Sequence, residues 1–176
     1  MKKDEMKRLF VSMPIDGGAL EGATSYIRRE YGLRTADPSA AHVTLLFIGD
    51  FPSKRVPALG DALAERFREV PAFPYELRGV GRFPAKGGPR VLWAGIRGEG
   101  FRALHRAASE AVGSAPGDFV PHVTLCRVRK PLDPSGFLTE FDGASFGEGT
   151  CDSVQLMESI LGRNGARHVL VRKFQL

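Results

Sequence analysis

The four letters His-Val-Thr-Leu occur twice, first as His42-Val43-Thr44-Leu45 and again eighty residues on as His122-Val123-Thr124-Leu125. Successive side chains of an extended strand leave on opposite faces. Read as a strand, each word sets an imidazole and a hydroxyl on one face and turns its valine into a core. The repeat takes two of the four histidines, lies in apolar, strand-like context both times, and recurs at about half the length of the 176-residue chain. A chain so built has two halves that each bring one His-x-Thr strand to a shared site.

Two facing imidazoles suit the cleavage of a phosphate ester: one takes a proton from the attacking oxygen while the other gives one to the leaving oxygen, both near neutral pH. The threonine hydroxyls can hydrogen-bond the non-bridging phosphate oxygens. A metal site built on His42 and His122 is a competing reading, but there is no His/Asp/Glu cluster at metal-ligand spacing, so neither a metal nor a cofactor is expected. Cys126 directly follows the second word and raises the alternative of a catalytic thiol, against which stands the ordinary occurrence of small buried cysteines.

At 43% hydrophobic, the chain can bury a core and fits one domain or two closely packed lobes. No apolar run approaches the roughly 20 residues of a membrane span, and the charged start Met1-Lys2-Lys3-Asp4-Glu5-Met6-Lys7 lacks the apolar run of a signal peptide. No membrane association is expected. Cys126 and Cys151 are too few for a disulfide framework, which points to reduced thiols and a cytoplasmic location. A net charge of +5, with arginine far in excess of lysine, suits a polyanion such as RNA, although Arg66, Arg68 and Glu69 read as solvated helix faces.

Along the chain, Arg8 to Ile15 alternates as a first strand, and Leu20, Thr24, Ile27 and Tyr31 recur at helical spacing before Gly32. His42 to Gly49 reads as a central strand with Leu45, Leu46, Phe47 and Ile48 as a buried run. Val56, Leu59, Leu63, Phe67 and Val70 form the stripe of a second helix, with Ser53 as its N-cap and Pro57 in its first turn. Tyr75 to Arg82 and Val91 to Ile96 read as a hairpin whose long loop carries Lys86 and Arg90, with Trp93 as core. Phe101, Leu104, Ala108, Ala111 and Val112 mark a third helix, with His105 at its boundary or surface. After the second motif strand come strands at Ser145 to Gly149, Asp152 to Leu161 and Arg167 to Phe174. Arg163-Asn164-Gly165 reads as the turn between the last two, and His168 as structural. Strands outnumber helices and hairpins dominate, which predicts an α+β fold with antiparallel sheets.

Arg8-Leu9-Phe10, the first His-Val-Thr-Leu leading into Phe47-Ile48-Gly49, Val91-Leu92-Trp93, and Pro121-His122-Val123-Thr124-Leu125 with Arg127 stand in order over nearly the whole chain. With these landmarks the chain resembles the two-histidine (2H) phosphoesterases, and within them the RNA 2',3'-cyclic phosphodiesterases once described as 2'-5' RNA ligases. The resemblance implies a single domain over residues 1–176, with two pseudo-symmetric, intertwined lobes that carry one His-x-Thr motif each, antiparallel sheets, helices packed outside and the active-site cleft between the lobes. It implies hydrolysis of a terminal 2',3'-cyclic phosphate to a 2'-phosphate, with His42 as proton donor and His122 as proton acceptor. Thr44, Thr124 and Arg127 become phosphate ligands and Phe10 a ring on which a base stacks. Arg127 fits only with a bulge or with the end of the strand nearby, because strict alternation from His122 aims it away from the cleft. RNA ends or nucleotides bearing a 2',3'-cyclic phosphate are the expected partners, for a monomer with no obligate protein partner. Ligation or 2'-5' phosphodiester chemistry on the same site, another cyclic nucleotide, and a non-catalytic RNA-binding module remain as alternatives.

Overall fold

The computed structural model describes residues 5–163 and 165–176. The first strand, β1 (Met6–Pro14), is followed by α1 (Glu21–Tyr31) and by β2 (His42–Pro52), which opens on the first histidine. Next come α2 (Val56–Phe67), the hairpin β3 (Phe73–Phe83) and β4 (Val91–Arg97), and α3 (Phe101–Ala111). The second half continues with β5 (His122–Arg127), α4 (Ser135–Glu140), β6 (Ser145–Cys151), β7 (Ser153–Gly162) and β8 (Gly165–Gln175). Helix α1 stops where Gly32 takes a left-handed φ of 61°, a conformation that lets its N–H cap the Arg28 carbonyl and that costs glycine nothing.

The eight strands follow the order β6-β3-β4-β5-β2-β1-β7-β8, with every neighbouring pair antiparallel. The expected α+β class and paired lobes hold. Four strands lie on each side of a seam between β5 and β2, and a single residue pair, Val43 with Val123, crosses it. These valines are the same letter of the two repeats, so the local twofold axis of the molecule passes between them. The chain crosses the seam twice: β1 and β2 lie on one side, β3 to β6 on the other, and β7 and β8 return beside β1. The expectation that consecutive strands are joined by hairpins therefore fails between β6 and β7, and α4 was not anticipated.

One face of the sheet, with Leu9, Val11, Val43, Leu45, Leu92, Ala94, Val123 and Leu125, forms a continuous core with Ile27, Leu63, Phe67 and Leu104 of the helices. Each fully buried side chain of this size contributes about 1.5–3 kcal/mol through removal from water. The seam needs backing, because strands joined by one pair leave backbone groups without ladder partners. Helix α3 packs under β2 and α1 under β5, so each half's helix supports the other half's strand. The Leu125 carbonyl accepts the Ala36 N–H at 2.7 Å, and its repeat equivalent, the Leu45 carbonyl, accepts from His105 Nδ1 at 2.8 Å.

That bond corrects the expectation for His105. It is 9% exposed, its ring stacks on Phe119 with centroids 4.6 Å apart, and its enclosed Nε2 has no partner among the described residues. Ser53 is likewise not an N-cap: Ser53–Arg55 forms a 3-10 turn, and α2 starts after Arg55 with no side-chain cap, Pro57 lying in its first turn as expected. The last hairpin closes at the pair Gly162 with Gly165, and Asn164 of the expected turn lies outside the described residues, as do residues 1–4. Among the described residues no helix is long and apolar enough to cross a membrane.

Candidate active site

His42 and His122 open β2 and β5 on the face turned away from the helices. With Val43 opposite Val123 in an antiparallel pair, His42 lies across from Thr124 and Thr44 across from His122. Each imidazole therefore has the other repeat's hydroxyl as a neighbour. His42 Nδ1 lies 2.7 Å from the Ala40 carbonyl and His122 Nδ1 lies 2.8 Å from the Val120 carbonyl, in both cases two residues back. A carbonyl only accepts, so Nδ1 carries the hydrogen in both rings, and Nε2 is the nitrogen left to take or give a proton. Burial lowers both pKa values from the ordinary imidazole value, and for His122 the proximity of His42 lowers it further. A proton on one ring thus disfavours a second on the other. Both threonines are half-buried, and no hydrogen bond among the described residues occupies either hydroxyl.

The rings that flank the pair were only partly expected. Phe10 lies 5.4 Å from His42, and His168 lies 5.4 Å from His42 and 4.8 Å from Phe10, so the three form one cluster. His168, read from sequence as structural, reaches the site because β8 pairs with β7 and β7 with β1. Phe10 is 4% exposed and supports the two imidazoles; a base could stack on it only if its ring were uncovered. On the other side, Phe83 lies 4.9 Å from His122 and Trp93 lies 6.0 Å from it. Trp93 is not plain core: it stands opposite Thr124 on the site face, half-buried, with its ring over Gly81.

Both features that would place Arg127 on the site face are present: β5 ends at Arg127, and a bulge precedes it. Leu92 pairs with Cys126 and Trp93 with Thr124, so Leu125 is an extra residue in β5 and the alternation reverses after it. Arg127, opposite Val91, thereby shares the face of Thr124 and is exposed. The first repeat carries the same device, since Val11 pairs with Leu46 and Ser12 with Thr44, leaving Leu45 extra. Phe47 is thus the positional counterpart of Arg127. Contrary to the buried run expected there, it is 54% exposed on the site face, with the Arg8 guanidinium 5.0 Å from its ring centre.

Among the described residues no group of three or more His, Cys, Asp or Glu side chains is placed to hold a metal ion. Cys126 is buried and its thiol pKa is pushed up by that burial, the opposite of the depressed value that makes a thiol nucleophilic. The described site is a pair of imidazoles, a pair of free hydroxyls and an exposed guanidinium, an arrangement able to move two protons about a bound phosphate.

Residues 18–163 match the model of the 2'-5' RNA ligase superfamily. An RNA 2',3'-cyclic phosphodiesterase of Thermus thermophilus is 34% identical over 175 residues, covering 90% of this chain and 83% of that protein. Another, of Archaeoglobus fulgidus, is 28% identical over 179 residues, covering 96% and 99%. A crystal structure of a Thermus thermophilus protein, 30% identical, superposes with a TM-score of 0.79 over 96% of this chain and 97% of that one. Escherichia coli LigT in complex with NADP+ is 20% identical and shares the fold, with a TM-score of 0.73 over 98% and 99% of the two chains. Matched over most of its length both by the family model and by these relatives, the chain belongs to the 2'-5' RNA ligase superfamily.

Proposed function

We propose that the chain is an RNA 2',3'-cyclic phosphodiesterase, which opens a terminal 2',3'-cyclic phosphate to a 2'-phosphate with two histidines and no metal. The observation that carries the reading is the pair of imidazoles related by the seam's twofold axis, each with Nδ1 tied to a carbonyl and Nε2 free. The relatives' activity supports the substrate class. In the step assigned here, water attacks phosphorus and loses a proton to His122 Nε2. The bond from phosphorus to the 3' oxygen breaks as His42 Nε2–H protonates that oxygen. The ribose leaves with a 3'-hydroxyl and a 2'-phosphate, and the proton now on His122 returns to His42 through solvent. Thr44, Thr124 and Arg127 hold the non-bridging oxygens, where charge grows in the transition state. Exposed Phe47 offers a flat ring on the same face to a base. A 5'-hydroxyl in place of water, attacking with release of the 3' oxygen, gives 2'-5' ligation on the same machinery. The site is complete within one chain, which supports action as a monomer, and two buried unpaired thiols support a cytoplasmic setting.

The test is incubation of the wild-type protein with a 2',3'-cyclic-phosphate oligonucleotide in EDTA. Turnover to the 2'-phosphate is the expected result. A 3'-phosphate product would reverse the two proton roles, and activity that appears only on adding metal would overturn the mechanism.

The pH dependence follows from burial. In the free protein the acid must be protonated, and its pKa lies below the ordinary 6.5 of an imidazole. The alkaline fall of kcat/KM is therefore expected below that value, with the acid limb lower still. A bound phosphate anion favours the imidazolium, so the alkaline fall of kcat is displaced upward relative to that of kcat/KM. Folding stability runs the same way for His42, His122 and His168, whose lowered folded-state pKa values mean that the unfolded chain binds more protons as pH drops below about 6.5. Their contribution is present above that pH and is lost through the acid range. Rate profiles with a small cyclic nucleotide, paired with thermal melts over the same pH range, check both signs.

A further inference from the structure

Beyond Arg127 the face that carries His122 and Thr124 continues into a groove of about 460 Å³ between the end of the β3–β4 loop and the segment that follows β5. Four cations line it, Arg90 on one wall and Arg127, Arg129 and Lys130 on the other. All four are exposed, and among the described residues none has an acidic partner. The walls are built. Val128 donates to the Arg90 carbonyl at 2.8 Å, Arg90 donates to the Phe83 carbonyl at 2.7 Å, and Pro89 is buried beneath them. Arg82 braces the loop from inside by donating to the carbonyls of Ala85 and Gly87. Past the end of β5, buried Val128 stands between exposed Arg127 and Arg129, and both arginines line the groove.

We propose that this groove is a subsite for the backbone of an RNA strand upstream of the reacting end, with Arg90, Arg129 and Lys130 on the phosphates that precede the terminal one. The inference rests on the phosphodiesterase reading above and extends it, because it makes an oligonucleotide rather than a mononucleotide the preferred substrate. Cations carried on fixed backbone attract a phosphate chain with only their side chains left to order, and each phosphate they neutralise steepens the salt dependence of binding. Continuity with Arg127 favours the substrate's own strand over a separate polyanion.

The experiment compares a nucleoside 2',3'-cyclic phosphate with a six-nucleotide RNA ending in the same group, in wild type and in Arg129→Ala/Lys130→Ala, between roughly 50 and 200 mM salt. Both substitutions are at exposed positions and leave the core untouched. Wild type is expected to favour the oligonucleotide about tenfold or more in kcat/KM. The variant should lose most of that preference while keeping its mononucleotide rate. Its log–log salt slope on the oligonucleotide should fall by about 0.7 for each cation removed. An unchanged preference, or an equal loss on both substrates, would overturn the groove. Were neither substrate cleaved by wild type, the phosphodiesterase reading would fall. Equilibrium binding of the same oligonucleotide, labelled with a fluorophore, would still decide the groove by the same slope comparison.

Discussion

Alanine at His122 is expected to lower kcat/KM by about 10² to 10⁴, and alanine at His42 to do the same. On the proposed mechanism each removes the nitrogen assigned to one of the two protons, while the groups assigned to the phosphate, the threonine hydroxyls and Arg127, stay in place; KM is therefore expected to change little and the loss to fall on kcat. The two losses will not multiply. A base without its acid already leaves the ribose oxygen to depart unprotonated, so the double variant should sit within about tenfold of the worse single one, as for other groups that act as a unit. The roles can be told apart with a phosphodiester whose leaving group is an acidic phenol, which departs without protonation. His42→Ala should regain most of its loss on that substrate and His122→Ala should not. Recovery by His122→Ala instead would exchange the assignments, and equal, slight losses in both variants would leave the fold with a binding function only. Neither ring belongs to the hydrophobic core, so thermal melts of the variants should lie close to wild type.

What the sequence made legible is what depends on short spacing. Alternation within His-x-Thr is a property of three consecutive residues, and it places His42 with Thr44 and His122 with Thr124 without knowledge of any neighbour. The helical stripes at Leu59, Leu63 and Phe67 are legible for the same reason. What was hidden depends on pairing at long range. His168 meets His42 only through two intervening strand registers, and Trp93 meets His122 only because β4 lies beside β5. Phe47 looked like core because it sits in an apolar run, and an extra residue at Leu45 turns it outward. A bulge is invisible to a count of alternating letters, although the awkward placement of Arg127 points to a bulge or a strand end in the second repeat. His105 was misjudged because a helix stripe records only the helix's own face. The free Leu45 carbonyl that engages it exists only because β2 and β5 barely pair.

Gly81→Ala is expected to lower kcat/KM by about tenfold to 10²-fold through a residue that touches no substrate. Gly81 pairs directly with Trp93 across β3 and β4, and a Cβ built on it would stand 2.1 Å from the indole Cζ2. Its φ is not among the positive values, so the backbone accepts alanine without strain and the conflict lies with the ring. The indole must shift, and it is hemmed in by Phe83 at 5.2 Å and His122 at 6.0 Å between ring centres. Displacement is thus passed to His122, the imidazole proposed to take the proton from water, where an error of about 1 Å is costly. The overpacking itself should cost about 1–3 kcal/mol of stability, enough to lower Tm while leaving the protein folded at 25 °C. Trp93 is the only tryptophan, so intrinsic fluorescence reports its movement without a label. A shifted emission together with a loss in kcat is the expected result. Trp93→Phe in the same background, whose smaller ring makes room for the new methyl, should restore part of the rate. A shifted emission with unchanged kinetics would mean that the indole packs beside His122 without holding it, and the imidazole's orientation would then rest on the Val120 carbonyl and Phe83 alone.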